Sequence, residues 1–195
     1  DTPLTVDDYA WSGDRRRLLI YTNSVKVRRV KSRGDYWVLN LASGDLRQLG
    51  GPDAAPSSLQ FAKFAPDGDA VAYVREGNIF VEDPGGDIRQ LTERPTDDII
   101  NGIMSWAYEE EFGVRDGFRW SPDGQRIAFW RFDTAGVRDF LIIDNTTELY
   151  PDITRIPYPK VGETVSAASI GIVSLDADPA TTEDATTTED TTTTE

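Results

Sequence analysis

The sequence predicts an all-β fold, a partial β-propeller of about three blades with one short helical insert and a disordered C-terminal tail. Three features support this prediction: a motif that occurs three times, an aromatic and acidic stretch after the second copy, and a final segment almost without apolar residues. Repeats of roughly 40–55 residues built from short strands are typical of propeller blades. Because a closed propeller needs about four to eight blades, we expect these 195 residues to form part of a larger one.

The repeated motif combines an aromatic residue with a tight turn. Its copies begin Trp11-Ser-Gly-Asp, Phe64-Ala-Pro-Asp-Gly and Trp120-Ser-Pro-Asp-Gly, and an apolar strand follows each of them. In such a turn proline presets φ, aspartate bonds its own backbone and glycine tolerates a positive φ. Each copy therefore predicts two strands joined by a tight turn.

A second hairpin follows the motif in each repeat. The parallel between Leu46-Arg-Gln-Leu49 and Ile88-Arg-Gln-Leu91 sets the register of the first two units. The third unit continues through three strand candidates: Phe140 to Ile143, Thr154 to Pro159, and Ala168 to Leu175. We therefore expect two blades and much of a third.

The insert spans about residues 97–112, between the second and third units. Asp97 or Asp98 could cap a short helix, and apolar residues follow at near-helical spacing. Three adjacent carboxylates, Glu109 to Glu111, would then lie at or past the helix end, where the helix dipole disfavours them. Since adjacent acids repel one another, a site that holds a cation explains them better than stability does.

Composition excludes several kinds of chemistry. The chain has no histidine and no cysteine, so it contains no Ser-His-Asp triad, no Cys-His pair and no zinc site that uses these residues. We expect no catalytic residue, no metal and no cofactor. The net charge of −14 argues against nucleic acid as a partner, and the basic run at residues 26–33 predicts an exposed strand or loop with outward charges.

The last part of the chain differs from the rest. It consists almost entirely of threonine, glutamate, aspartate and alanine, which cannot bury enough apolar surface to order the backbone. The predicted organisation is a propeller part over residues 1–178 and a disordered tail over residues 179–195.

Three motifs together resemble the dipeptidyl peptidase IV family of the prolyl oligopeptidase superfamily. They are Asn101-Gly-Ile-Met-Ser-Trp-Ala-Tyr-Glu-Glu-Glu111, Trp120-Ser-Pro-Asp-Gly124 and Ile156-Pro-Tyr-Pro-Lys160. Their order and spacing fit the N-terminal β-propeller domain of that family, and the resemblance covers about residues 11–175. It implies an eight-bladed propeller above an α/β-hydrolase domain that carries the catalytic serine, aspartate and histidine. That domain lies outside these residues, so we expect this chain to be inactive alone.

The resemblance also implies a site. In the family, two glutamates of a short propeller helix bind the free N-terminal ammonium of a peptide, and the enzyme releases Xaa-Pro dipeptides. The matching residues are Glu110 and Glu111, with Glu109 as a further candidate and Trp106 and Tyr108 as supports. The family usually has a substrate-contacting arginine in the loop after the first blade, but the loop at residues 50–57 contains none.

Partners and location follow from the same resemblance. It implies three partners, namely the N-terminus of a peptide substrate, the hydrolase domain of the parent protein and a second copy in a homodimer. It also implies an exported, periplasmic or membrane-associated protein. The alternative from a different functional class is a non-catalytic propeller that acts in binding or as a scaffold.

Overall fold

The computed structural model describes residues 3–176 and the backbone of Glu183–Ala185. These residues form three antiparallel units in chain order and no closed ring. The first blade contains strands β1 (Val6–Trp11), β2 (Arg17–Val27), β3 (Val30–Asn40) and β4 (Leu46–Gln48). The second blade contains β5 (Leu59–Phe64), β6 (Val71–Arg75), β7 (Asn78–Glu82) and β8 (Ile88–Gln90). In both blades each strand pairs with the next one along the chain.

The third unit is more elaborate. Its elements are β9 (Ile99–Asn101), α1 (Trp106–Phe112), β10 (Phe118–Trp120), β11 (Arg126–Asp133), β12 (Asp139–Asp144), β13 (Asp152–Pro157), β14 (Ala167–Ser174) and β15 (Glu183–Ala185). Strands β10, β11, β14 and β15 form the blade, and β9 pairs with the far end of β11. The prediction of a partial propeller with one short helix is therefore confirmed over the described residues.

The repeated turns have the predicted chemistry. Asp123 accepts a hydrogen bond from the backbone N–H of Gln125 at 3.0 Å, and Gly124 has a φ of 70°. The second copy repeats this arrangement, with Gly68 at a φ of 82°. In the first copy Arg15 occupies the glycine position at a φ of 57°. The turn geometry is therefore kept even where the sequence lacks the residue that favours it.

The core lies between blades, because the second blade is buried on both faces. Alternate residues of β6 point in opposite directions, as strand geometry requires. Val71 and Tyr73 pack against the first blade, whereas Ala72 and Val74 pack against the third. The first and second blades also join edge to edge, where Gly34 of β3 pairs with Leu59 of β5.

The order of strands in the third blade corrects one expectation. Residues 140–143 and 154–159 were expected to continue the blade, but β12 and β13 pair only with each other in a separate two-stranded sheet. Strand β14 takes the place beside β11 instead, with pairs from Arg126↔Ser174 to Asp133↔Ala167. The reason is long-range pairing: β14 pairs with β11 at eight positions, so β11 takes this distant strand as its neighbour and not the next strand along the chain.

The insert also differs from its expected form. Residues Ile99–Asn101 are a strand, because they pair with residues 131–133 of β11. The helix begins after Ser105, so Asp97 and Asp98 do not cap it. The three glutamates consequently lie inside the helix and not at or past its end.

The expected disordered tail lies mostly outside the described residues. Within it, Glu183–Ala185 forms β15 and pairs with residues 170–172 of β14, which departs from the expectation for these three residues. Backbone hydrogen bonding to a free strand edge needs no apolar side chain, so composition did not reveal it. No helix in the described part of the chain is long and apolar enough to cross a membrane.

Candidate functional site

The helix α1 sits on a loop that closes tightly against the second and third blades. Gly102 has a φ of 78°, and a Cβ there would lie 2.8 Å from Cγ1 of Ile79. Its N–H donates to the carbonyl oxygen of Trp130, and its own carbonyl accepts from Gly117 at 3.0 Å. Ile103 and Asp116 form an isolated antiparallel β-bridge, which joins the two ends of the loop that carries α1. The base of the loop is therefore fixed to β11.

The helix is short and has defined ends. Ser105 is the N-cap residue, in extended conformation, and its carbonyl accepts the N–H of Glu109 at 3.1 Å. The helix ends at Gly113, which has a left-handed φ of 69°. The N–H of Val114 then bonds back to the carbonyl of Tyr108 at 3.2 Å, in the way that glycine-terminated helices commonly end.

Aromatic contacts orient the helix. The ring of Tyr108 lies 4.9 Å from that of Phe132 and 5.7 Å from that of Trp130, both on β11. The ring of Trp106 lies 4.2 Å from that of Tyr158, in the Pro-Tyr-Pro-Lys motif that begins at the last residue of β13. Two sequence motifs that are far apart along the chain thus meet at α1, and Trp106 and Tyr108 anchor the helix on two sides.

The three glutamates have different surroundings. The side chain of Glu109 is 7% exposed, forms an ion pair with Arg28, and has its other oxygen 3.6 Å from Nε of Arg115. The side chain of Glu110 is equally buried, and one of its oxygens accepts a hydrogen bond from Nε of Arg29. Its other oxygen, Oε1, is buried and has no hydrogen-bond partner among the described residues.

Glu111, the next residue of α1, is exposed. It lines an open groove of about 890 Å³ whose other walls include Trp106, Phe140, Tyr158 and Lys160.

The described residues contain no group of three or more His, Cys, Asp or Glu side chains that could hold a metal ion. The carboxylates of α1 can accept hydrogen bonds from a donor group.

The arginines are residues that the sequence prediction missed. Arg28 and Arg29 form the turn between β2 and β3, inside the basic run that was expected to be a solvated surface. The hydrogen bond with Glu110 raises the pKa of Arg29 above its usual value. Two adjacent arginines in a tight turn and three adjacent glutamates elsewhere have opposite charges. This charge complementarity was the signal in the sequence that could have indicated the contact.

Comparison with known proteins identifies the family. The model of the N-terminal region of dipeptidyl peptidase IV matches residues 12–195. The chain belongs to the dipeptidyl peptidase IV family. The resemblance found in the glutamate, Ser-Pro-Asp-Gly and Pro-Tyr-Pro-Lys motifs is thereby confirmed.

Relatives in the family are much longer than this chain. It is 36% identical over 160 residues to a probable dipeptidyl peptidase 4 from Aspergillus fumigatus, covering 79% of this chain and 20% of the relative. It is 32% identical over 178 residues to dipeptidyl aminopeptidase B of Saccharomyces cerevisiae, covering 88% and 21%. This chain thus spans about a fifth of the length of these curated relatives.

A solved structure supports the same assignment. The crystal structure of Porphyromonas gingivalis dipeptidyl peptidase 4 superposes with a TM-score of 0.87 at 26% identity, covering 97% of this chain and 27% of that one. A match of this kind over nearly the whole chain agrees with a partial propeller from the N-terminal region.

Proposed function

We propose that this chain is the propeller part of a dipeptidyl peptidase IV-like serine exopeptidase that releases N-terminal Xaa-Pro dipeptides. In this proposal an α/β-hydrolase domain in another part of the protein supplies the catalytic serine, aspartate and histidine. The propeller supplies Glu110 and Glu111, which bind the N-terminal ammonium of the peptide. We leave Glu109 out of the ligands, because Oε2 pairs with Arg28 and Oε1 lies 3.6 Å from Nε of Arg115, although Oε1 also has no hydrogen-bond partner among the described residues.

The observation that carries the proposal is the state of Glu110. Its side chain is more than nine-tenths buried, and Oε1 has no hydrogen-bond partner among the described residues. A buried acceptor without a donor is costly, and the cost is relieved when a ligand supplies the donor. An ammonium offers three N–H donors, whereas a carboxylate only accepts, so the chemical match is direct.

Glu111 completes the proposed site. It follows Glu110 in the helix and is exposed at the edge of the groove, where an incoming peptide can reach it. Each charge-assisted hydrogen bond to the ammonium would contribute about 1.5–3 kcal/mol. Amine binding at a fixed place would set the distance from the peptide N-terminus to the bond that is cleaved. This would explain why a dipeptide is released.

The proposal is tested by steady-state kinetics in the full-length protein that contains this chain. Glu110→Gln and Glu111→Gln should each lower kcat/KM for a free-amine Xaa-Pro substrate by roughly ten- to a hundredfold, the loss of one such bond. Glu93→Gln is the matched control, because Glu93 is exposed and outside α1. An N-acylated substrate should be poor for the wild type and should not suffer further from the mutations.

The outcome separates the proposed function from its alternative. If both glutamine variants keep the wild-type kcat/KM, the glutamates do not bind the substrate amine and are only a structural feature of the helix. A full-length protein that binds peptides with free amines but never cleaves them would instead favour the non-catalytic binding function.

A further inference from the structure

The tip of the β2–β3 hairpin reaches across to α1 with two consecutive arginines. Val27 and Val30 are paired, so Arg28 and Arg29 form a two-residue turn. Arg28 adopts a left-handed φ of 63°, a conformation that glycine and asparagine adopt at much lower cost. An arginine at this position stores backbone strain, and strain of this kind points to a role for the side chain.

The side chain of Arg28 meets a buried carboxylate. It pairs with Oε2 of Glu109, whose Oε1 lies 3.6 Å from Nε of Arg115. The side chain of Arg28 is itself 28% exposed. An ion pair as sheltered as this one is screened less by salt than a surface pair, and it holds its partners in one arrangement.

The next residue of the turn meets the next residue of the helix. Arg28 contacts Glu109, and Arg29 contacts Glu110, so the turn and the helix match residue for residue. Arg29 is 79% exposed and would be poorly fixed by itself. Since adjacent residues share one turn, the Arg28–Glu109 pair limits where Arg29 can lie beside Glu110.

We propose that Arg28 is a positioning residue of the amine site. Together with Arg115 it clamps Glu109, and this clamp fixes α1 so that Glu110 and Glu111 present their carboxylates to the peptide ammonium. The kinetic consequence rests on the proposed function, whereas the clamp itself does not. Glu109 is then a structural partner of two arginines.

The kinetic test uses Arg28→Gly, Arg28→Lys and Arg33→Ala in the full-length protein. Arg28→Gly removes the guanidinium and also relieves the strained φ, so a residue important only for the turn would be neutral or stabilising when replaced. We expect Arg28→Gly to raise KM for a free-amine Xaa-Pro substrate roughly tenfold with little change in kcat, the pattern of lost ground-state binding. Arg28→Lys should recover part of this loss, and Arg33→Ala, on an exposed residue of the same hairpin, should leave KM unchanged.

A second measurement separates the clamp from the function. Hydrogen exchange followed by mass spectrometry on a peptide covering residues 105–113 should be faster in Arg28→Gly than in the wild type and unchanged in Arg33→Ala. If exchange is faster while Glu110→Gln and Glu111→Gln leave activity intact, the clamp stands and the amine site is wrong. Wild-type exchange in Arg28→Gly would overturn the positioning role, as would wild-type KM in that variant when the glutamine variants are impaired.

Discussion

Glu82, in the second blade, accepts a hydrogen bond from the guanidinium of Arg47 in the first blade. The same carboxylate accepts the backbone N–H of Gly50 at 2.9 Å and lies 3.3 Å from the hydroxyl of Tyr73, and its side chain is 1% exposed. Gly50 itself needs a φ of 92°, and a Cβ there would lie 2.9 Å from Cβ of Ala54. One buried carboxylate therefore joins the end of the first blade to the interior of the second.

Glu82→Ala should destabilise the protein. The change leaves the partly buried guanidinium of Arg47 and the N–H of Gly50 without their acceptor. Breaking a pair of this kind costs about 3 kcal/mol, towards the lower end of the range because the side chain of Arg47 is 32% exposed. Urea denaturation measures the change in the free energy of unfolding. The control is Asp97→Asn, which breaks the exposed Arg94–Asp97 pair and should cost less than about 1 kcal/mol; similar losses in both variants would contradict the prediction.

Gly34→Ala should destabilise the protein where β3 packs beside β2 in the first blade. A Cβ on Gly34 would lie 2.3 Å from Cε2 of Tyr21 and 2.7 Å from the backbone oxygen of Thr22, which cannot move without disturbing the strand pairing. Overpacking of this kind costs about 1–3 kcal/mol. Gly85→Ala is the control, because its nearest neighbour is the flexible carboxylate of Asp83 at 3.2 Å. Equal urea midpoints for the two variants would show that the β2–β3 pair tolerates the methyl group.

Lys63 should make stability depend on pH in the alkaline range. Burial lowers the pKa of this amine to about 8, and the neighbouring carboxylate of Asp116 opposes that shift only in part. Between pH 8 and the ordinary lysine value of 10.5, the unfolded chain therefore binds more protons than the folded one, and the free energy of unfolding rises with pH. The rise should be on the order of 3 kcal/mol in total.

The test for Lys63 compares the wild type with Lys63→Met between pH 8 and pH 10. The wild type should gain stability relative to the variant as pH increases. Measurements should stop at pH 10, because burial raises the pKa values of Tyr21 and Tyr73 to about 12. Stabilisation from these tyrosines is complete below pH 10 and is lost above it, which would mask the effect of lysine. Parallel stability curves for the two proteins would mean that Lys63 titrates normally.

Much of the fold could be predicted because its signals are local. The Ser-Pro-Asp-Gly turn at residues 121–124 needs only contacts within a few residues, and the structure has the hydrogen bond from the backbone to Asp123 that it predicts. The helix could also be expected, but its start could not. Ile99–Asn101 resembled a first helical turn, and only the pairing with β11 shows that it is a strand.

The order of strands in the third blade was less accessible. Residues 140–143 and 168–175 are both apolar strand candidates, so nothing local shows which of them pairs with β11. The β12–β13 hairpin forms its own sheet, and β14 returns to the blade after it. Which strands pair depends on how well two whole strands match in length, register and buried face. A short stretch of sequence does not contain this information.

The sequence by itself determined the repeated blades, the family and the three adjacent glutamates that mark the candidate site. These follow from turn chemistry, alternation and motif spacing, which act between residues close together along the chain. Only the tertiary structure decided that Arg28 and Arg29 meet Glu109 and Glu110, and that Glu110 keeps one buried oxygen without a partner among the described residues. Ion pairs between distant segments depend on how the blades and the insert pack together, because a charge interacts most strongly with whatever charges the fold places close to it.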